Sequence, residues 1–213
     1  MAATTGNEAI GLYSARTAAR IARIRPQNFQ AWAKANLVQP TKIALGKRFE
    51  NVYGYDDLLL IRLIVRLKEQ GAKTRHIKKA LDTIAYMNSG DRNAWKKARI
   101  MVSDGFVVVV FPDREDWNPI AASEGPQKMA EVFFPALIKD LQNDLVPQDR
   151  FKYIEINPEV LGGSPVIKGT RLSTRAVLSV IESGGDPKVV YPNLTDEQIE
   201  EARDYEKSFL QAA

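Results

Sequence analysis

From Leu12 to Lys34 the apolar positions recur at helical spacing in two short blocks. Ser14 suits an N-cap, and Ala15, Ala18, Ala19 and Ala22 after it make a small-residue packing face. Arg16, Arg20 and Arg23 fall at i, i+4 and i+7, which predicts that all three project from another side of the same helix. Ile24-Arg25 leaves room only for a tight turn, and Pro26 suits the first position of a second helix. In that helix Phe29, Trp32 and Ala33 are expected inside. Gln27, Gln30 and Lys34 share the outer face, with Asn28 near the start. Two helices so joined read as a helix-turn-helix, whose second helix presents its N-terminal residues to bases. Gln and Asn pair with adenine edges, and Arg and Lys with guanine or phosphate. An ordinary helix pair with a solvated basic face has the same pattern.

Farther on, a long helix is expected over Asp57–Gln70, with leucine and isoleucine inside. Arg62, Arg66 and Lys73 line its other side, and Gly71 is its C-cap. Thr74 is placed as the cap of a following helix that buries Ile77, Leu81 and Ile84. His76, a lone histidine, is read as a plain surface residue. Arg99–Ser103 and Phe106–Phe111 flank Asp104-Gly105, a hairpin signal. The second run is apolar throughout, so both of its faces need cover. A second chain, or a helix from about Ala130 to Leu145, would supply it. Asp113, Glu115 and Asp116 crowd the strand exit and read as a solvated turn rather than a magnesium site.

Asn143–Asp149 reads as a linker. Phe151–Ile156 alternates as a half-buried strand, Val166-Ile167 makes another, and Ser173 or Thr174 caps a helix with Val177, Leu178 and Ile181 inside. Asp186-Pro187 opens one more turn. Thr195 and Gln198 form a capping box for a last helix that buries Ile199, Ala202 and Tyr205. That helix also carries Glu197, Glu200, Glu201, Asp204 and Glu206, too acidic to face phosphates.

The net charge of +4 hides a segregation. Residues 1–100 hold 19 Lys+Arg against 7 Asp+Glu, a balance of +12, and residues 101–213 hold 11 against 19, a balance of −8. A basic half suits a phosphate backbone and an acidic half a protein surface or solvent. The 213 residues suit two small domains. With no cysteine, disulfides and thiolate metal sites are excluded, as fits a reducing cytoplasm. Neither a signal-peptide pattern nor a run long enough to span a membrane is present.

Several motifs together resemble the winged helix-turn-helix of the MerR group of transcription regulators. They are Tyr13-Ser14-Ala15, Pro26, the pair Phe29 and Trp32, and the exit Asn36–Pro40. Tyr55-Asp56-Asp57-Leu58, Glu69–Ala72 and Ile77–Leu81 complete the set. The resemblance implies a wing over residues 41–52, with Lys42, Lys47 and Arg48 near the DNA backbone. The chain departs from full MerR regulators in having no long heptad helix and no metal-sensing cysteine. Residues 151–205, with Asn157-Pro158, Gly163 and Pro165–Arg171, resemble a family of small trihelical domains of originally unknown function. Tyr191–Thr195 and Ala202–Tyr205 continue that match. Many members of the family act as antitoxins beside PIN-like nuclease genes. The two segments joined resemble a VapB-type antitoxin of a VapBC toxin–antitoxin pair.

The fold expected is mainly α: a winged helix-turn-helix, a central β-hairpin plus helix, and a C-terminal trihelical bundle with a short β-element. The boundaries expected are a loose arm at 1–11, the DNA-binding domain at 12–88, a connecting hairpin and helix at 89–149, and the trihelical domain at 150–213. The DNA set is Arg16, Arg20, Arg23, Arg25, Gln27, Asn28, Gln30, Lys34, Lys42, Lys47 and Arg48. The toxin-binding or structural set is Pro165, Lys168, Gly169, Thr170, Arg171 and Arg175. Arg171 either pairs with a local acid at a strand-to-helix turn, or reaches into a carboxylate-lined nuclease site. The partners implied are operator DNA, a cognate PIN-like ribonuclease toxin and a second copy of the chain, with no membrane. No cofactor or metal and no catalysis are expected, because no nucleophile–base pair, phosphate loop or histidine cluster is visible. The rival is a stand-alone dimeric regulator without a toxin.

Overall fold

The computed structural model describes residues 12–45, 48–112, 130–132 and 134–210. In chain order the elements are β1 (Tyr13–Ser14), α1 (Ala15–Ile21), α2 (Pro26–Lys34), β2 (Thr41–Leu45), β3 (Arg48–Tyr53), α3 (Tyr55–Glu69) and α4 (Thr74–Met87). Then come β4 (Arg99–Ser103), β5 (Phe106–Val110), β6 (Ala130–Glu131), α5 (Phe134–Leu145), β7 (Ile154–Ile156), β8 (Pro165–Ile167), α6 (Thr174–Glu182), α7 (Pro187–Val190) and α8 (Asp196–Leu210). The chain is mostly helical, with small sheets between the helices. It forms two compact units, one from residues up to 26, 40–58 and 139 onward, the other from 27–39 and 59–138.

In the first unit a three-stranded antiparallel sheet runs in the order β1-β3-β2. Within the stretch expected as a wing, β2 and β3 pair antiparallel, with Lys42 opposite Asn51 and Ala44 opposite Phe49. Tyr13, just ahead of the Ser14 cap, is a strand residue opposite Tyr53. The Ser14 hydroxyl accepts the Thr17 N–H at 3.2 Å, and Thr17, Ala18, Ala19 and Ile21 are buried behind it. Helix α1 stops at Ile21, because Arg23 takes φ +56 and the Ile24 N–H bonds back to the Ala19 carbonyl at 3.0 Å. That is a Schellman end, so Arg23 lies beyond the helix rather than on a face with Arg16 and Arg20.

The C-terminal part of the same unit pairs β7 with β8 and closes α6 and α8 over Ile167, Val177, Leu194 and Ala202. Its caps form as the sequence predicts. Ser173 accepts from the Ala176 N–H, and Asp186 from the Lys188 N–H. Thr195 and Gln198 bond each other's backbone N–H at 3.3 and 3.0 Å. The expected linker is not one: α5 runs to Leu145, and Leu145, Val146 and Phe151 are buried, with Phe151 edge-on to Tyr205 at 5.1 Å. A Cβ on Gly163 would lie 2.6 Å from Tyr55 Cβ.

In the second unit the sheet order is β5-β4-β6. Asp104 and Gly105, at φ +49 and +78, make the tight hairpin turn. The helix expected from Ala130 begins only at Phe134. Ala130 and Glu131 pair with β4 instead, where backbone groups need partners, and Pro135 suits the first turn of α5. Cover for β5 comes from α4. Lys73, not Thr74, occupies the cap position of α4, and it follows Gly71 rather than lining α3. His76 has a structural role: its Nδ1 sits 2.9 Å from the Gly105 carbonyl, and its ring stacks on Phe106 at 4.3 Å. Trp95, 1% exposed, anchors the remaining apolar volume beside Phe134.

Candidate nucleic-acid interface

The expected DNA residues fall on both units. In the first, Arg16, Arg20, Arg25 and Lys42 are exposed. Arg20 also lines a cleft of about 410 Å³ with Arg23, Asp144 and Arg150. There the Arg23 guanidinium donates to the Asp144 carboxylate at 2.7 Å. A carboxylate held this way competes with a phosphate for Arg23, so the expectation of three equivalent arginines on one helix face is corrected. Arg48 opens β3, and Lys47 lies outside the described residues.

In the second unit Gln27, Asn28, Gln30 and Lys34 are all exposed on α2, while Phe29 is buried at 3% exposure. One side of the helix is thus committed to packing, and the other carries amides and a cation free to form paired hydrogen bonds. Sequence reasoning missed Phe49, 75% exposed on the wing. Strand alternation places it on one face with Lys42, Ala44 and Asn51, a signal that was available in the chain.

The C-terminal set divides by role. Pro165 is buried in β8. Gly169 takes φ +75 and donates its N–H to the Glu155 carboxylate at 2.8 Å. The Thr170 hydroxyl donates to the Ile167 carbonyl at 2.7 Å and accepts the Leu172 N–H at 3.1 Å. Gly-Thr therefore fixes the strand-to-helix turn. Lys168 and Arg171 are exposed and, among the described residues, form no ion pair, whereas Arg175 meets Glu182 at 3.3 Å. The local acid expected for Arg171 is therefore not found among those residues.

The acidic last helix is partly internal. The Tyr153 N–H donates to Glu201, and the Thr174 hydroxyl donates to Glu206. Burial pushes the Glu206 carboxyl up, opposed by the Thr174 bond and the nearby Arg175 and helped by Glu182. A raised folded-state pKa stabilises most at acid pH, and the contribution is lost as pH rises through the folded value. Glu206→Gln is therefore expected to raise the thermal midpoint at pH 7 by a few degrees and to match the parent near pH 4. Thermal melts at both pH values check this, and an equal gain at both would show that the carboxyl's charge is not what matters.

Among the described residues no group of three metal-ligating side chains forms, and no helix is long and apolar enough to cross a membrane. The Asp113, Glu115 and Asp116 cluster lies outside the described residues.

Residues 13–84 match the family model of the MerR HTH family regulatory protein, and residues 154–205 match that of a protein of unknown function, DUF433. No curated protein matches the chain. A crystal structure of Rv2018 from Mycobacterium tuberculosis is similar at 12% identity and a TM-score of 0.40, over 92% of this chain and 98% of that one, a likeness too shallow to carry an argument. The chain carries a MerR-type helix-turn-helix domain, a module that points to DNA-binding transcription regulation, and a DUF433 domain.

Proposed function

We propose that the protein binds operator DNA as a homodimer and represses its own operon, with α2 reading bases and the cations of α1 and the wing holding phosphates. The observation that carries this reading is the exposed amide cluster Gln27, Asn28 and Gln30 at the start of α2, within the MerR-type match. Dimerisation follows from need: one recognition helix reads few base pairs, and two half-sites a helical turn apart supply specificity. Such a protein works in the cytoplasm and needs no catalytic group.

The C-terminal segment is proposed to hold and silence a PIN-like ribonuclease, making the chain an antitoxin. Supporting this are the DUF433 match, the net negative charge of the C-terminal half, and the exposed Lys168 and Arg171, which suit a carboxylate-lined nuclease site. The rival is a stand-alone regulator, in which that half serves assembly alone. A tagged pull-down of the full chain from its native cytoplasm separates them. A small nuclease at near-equal amount supports the antitoxin, and recovery of self-associated chain alone supports the rival.

For the phosphate role, Arg16→Ala and Arg25→Ala are expected to weaken specific and random DNA alike. Each substitution flattens the slope of log K against log salt by about 0.9 for every phosphate left without its cation. An unchanged slope in a titration from low to high salt contradicts that role.

A further inference from the structure

Strands β4 and β5 lie outside both matched segments, and among the described residues the outer edge of β5 is unpaired. Ser103 and Phe106 flank the two-residue turn, so they exchange backbone bonds, as do Met101 with Val108 and Arg99 with Val110. Val107 and Val109 then point their N–H and C=O groups away from β4. The same alternation explains why the Ile100 carbonyl faces the other way and accepts the Val132 N–H at 2.9 Å. Among the described residues no strand pairs with the outer edge of β5.

Beside that edge, α4 and β5 enclose a cavity of about 190 Å³. Thr83 and Ile84 line it from the helix, Val107 and Val109 from the strand, Phe111 from just past the strand's end, and Lys79 adds a charge. Sites for drug-sized ligands hold about 300–1,000 Å³, so this one suits protein side chains better than a whole small molecule. An extended segment laid along an open edge presents alternate side chains to such a groove, while its backbone satisfies the edge. The helix around the cavity is cationic. Lys79 and Arg75 are exposed, and Lys79 has no ion pair among the described residues. A second copy of β5 would bring a second cationic α4 with it, which disfavours self-pairing.

We infer that the groove between α4 and β5 takes up an extended segment of a protein partner, alternately apolar and acidic, as a fourth strand beside β5. The inference goes beyond DNA binding and ribonuclease capture and depends on neither.

The test is fluorescence anisotropy of the full chain with a short labelled peptide of alternating glutamate and valine. Saturable binding is expected. It should weaken about tenfold or more when alternate amides of the peptide are N-methylated, when lysine replaces glutamate in the peptide, or in the Lys79→Glu protein. Val107→Pro should weaken it similarly while leaving the thermal midpoint near the parent's, because the N–H it removes is outside the β4–β5 ladder. Absence of saturable binding to the parent overturns the inference, as does equal binding of the N-methylated or lysine peptide. A parent dimer that Val107→Pro splits, with no peptide bound, also overturns it and assigns the edge to a second copy.

Discussion

Gly163→Ala is expected to cost the protein about 2–5 kcal/mol of stability and to lower its thermal midpoint by about 5–15 °C. Two effects add. Gly163 sits at φ +81, where an L side chain is strained by about 1–2 kcal/mol. Its new Cβ would also lie 2.6 Å from Tyr55 Cβ and Cγ, and overpacking costs about 1–3 kcal/mol. Tyr55 has little room to yield. It is 2% exposed, and burial, with Asp56 adding, pushes its phenol up to about 12. A double-mutant cycle separates the terms. In a Tyr55→Ala background the clash is gone, and Gly163→Ala should cost only the backbone strain. An identical cost in both backgrounds would show that the two residues do not touch. The result matters beyond stability, because Tyr55 belongs to the MerR-type segment and Gly163 to the DUF433 segment. Their packing would make the two segments one cooperative unit, so truncating either would damage the other.

The second large effect concerns recognition. Gln27→Ala and Asn28→Ala should each weaken binding to the specific operator by about 1–3 kcal/mol, or roughly 5- to 150-fold, with little change on random DNA. Both side chains are exposed on the first turn of α2, so truncation leaves the fold intact and removes only amide groups suited to base edges. Phe29→Ala is the contrasting control. Phe29 is 3% exposed, and its loss should lower stability and depress binding to both DNAs together. Parallel losses on both DNAs for Gln27→Ala would make these residues scaffold, not readers.

The features legible in the chain are the local ones. Ser14, Asp186 and the Thr195–Gln198 box cap helices as their spacing predicts, because a cap is satisfied within three residues. Asp104-Gly105 likewise carries its own turn geometry. What escaped depends on distant partners. Tyr13 becomes a strand only because Tyr53 lies opposite, and Ala130 only because Val102 does. Arg23 bonds Asp144, 121 positions away, so no periodicity reveals that this arginine is engaged within the fold. The amides of α2, by contrast, were readable because an exposed helix face shows in the spacing of its buried one.

Base reading by α2 fixes where the full chain sits on DNA. DNase footprinting of the region upstream of its own gene is the measurement. Two protected patches with centres about one helical turn apart, lost in Gln27→Ala/Asn28→Ala but kept in Lys168→Ala, are the predicted result. Uniform protection that follows no sequence, or protection that survives in Gln27→Ala/Asn28→Ala, would contradict base reading by α2.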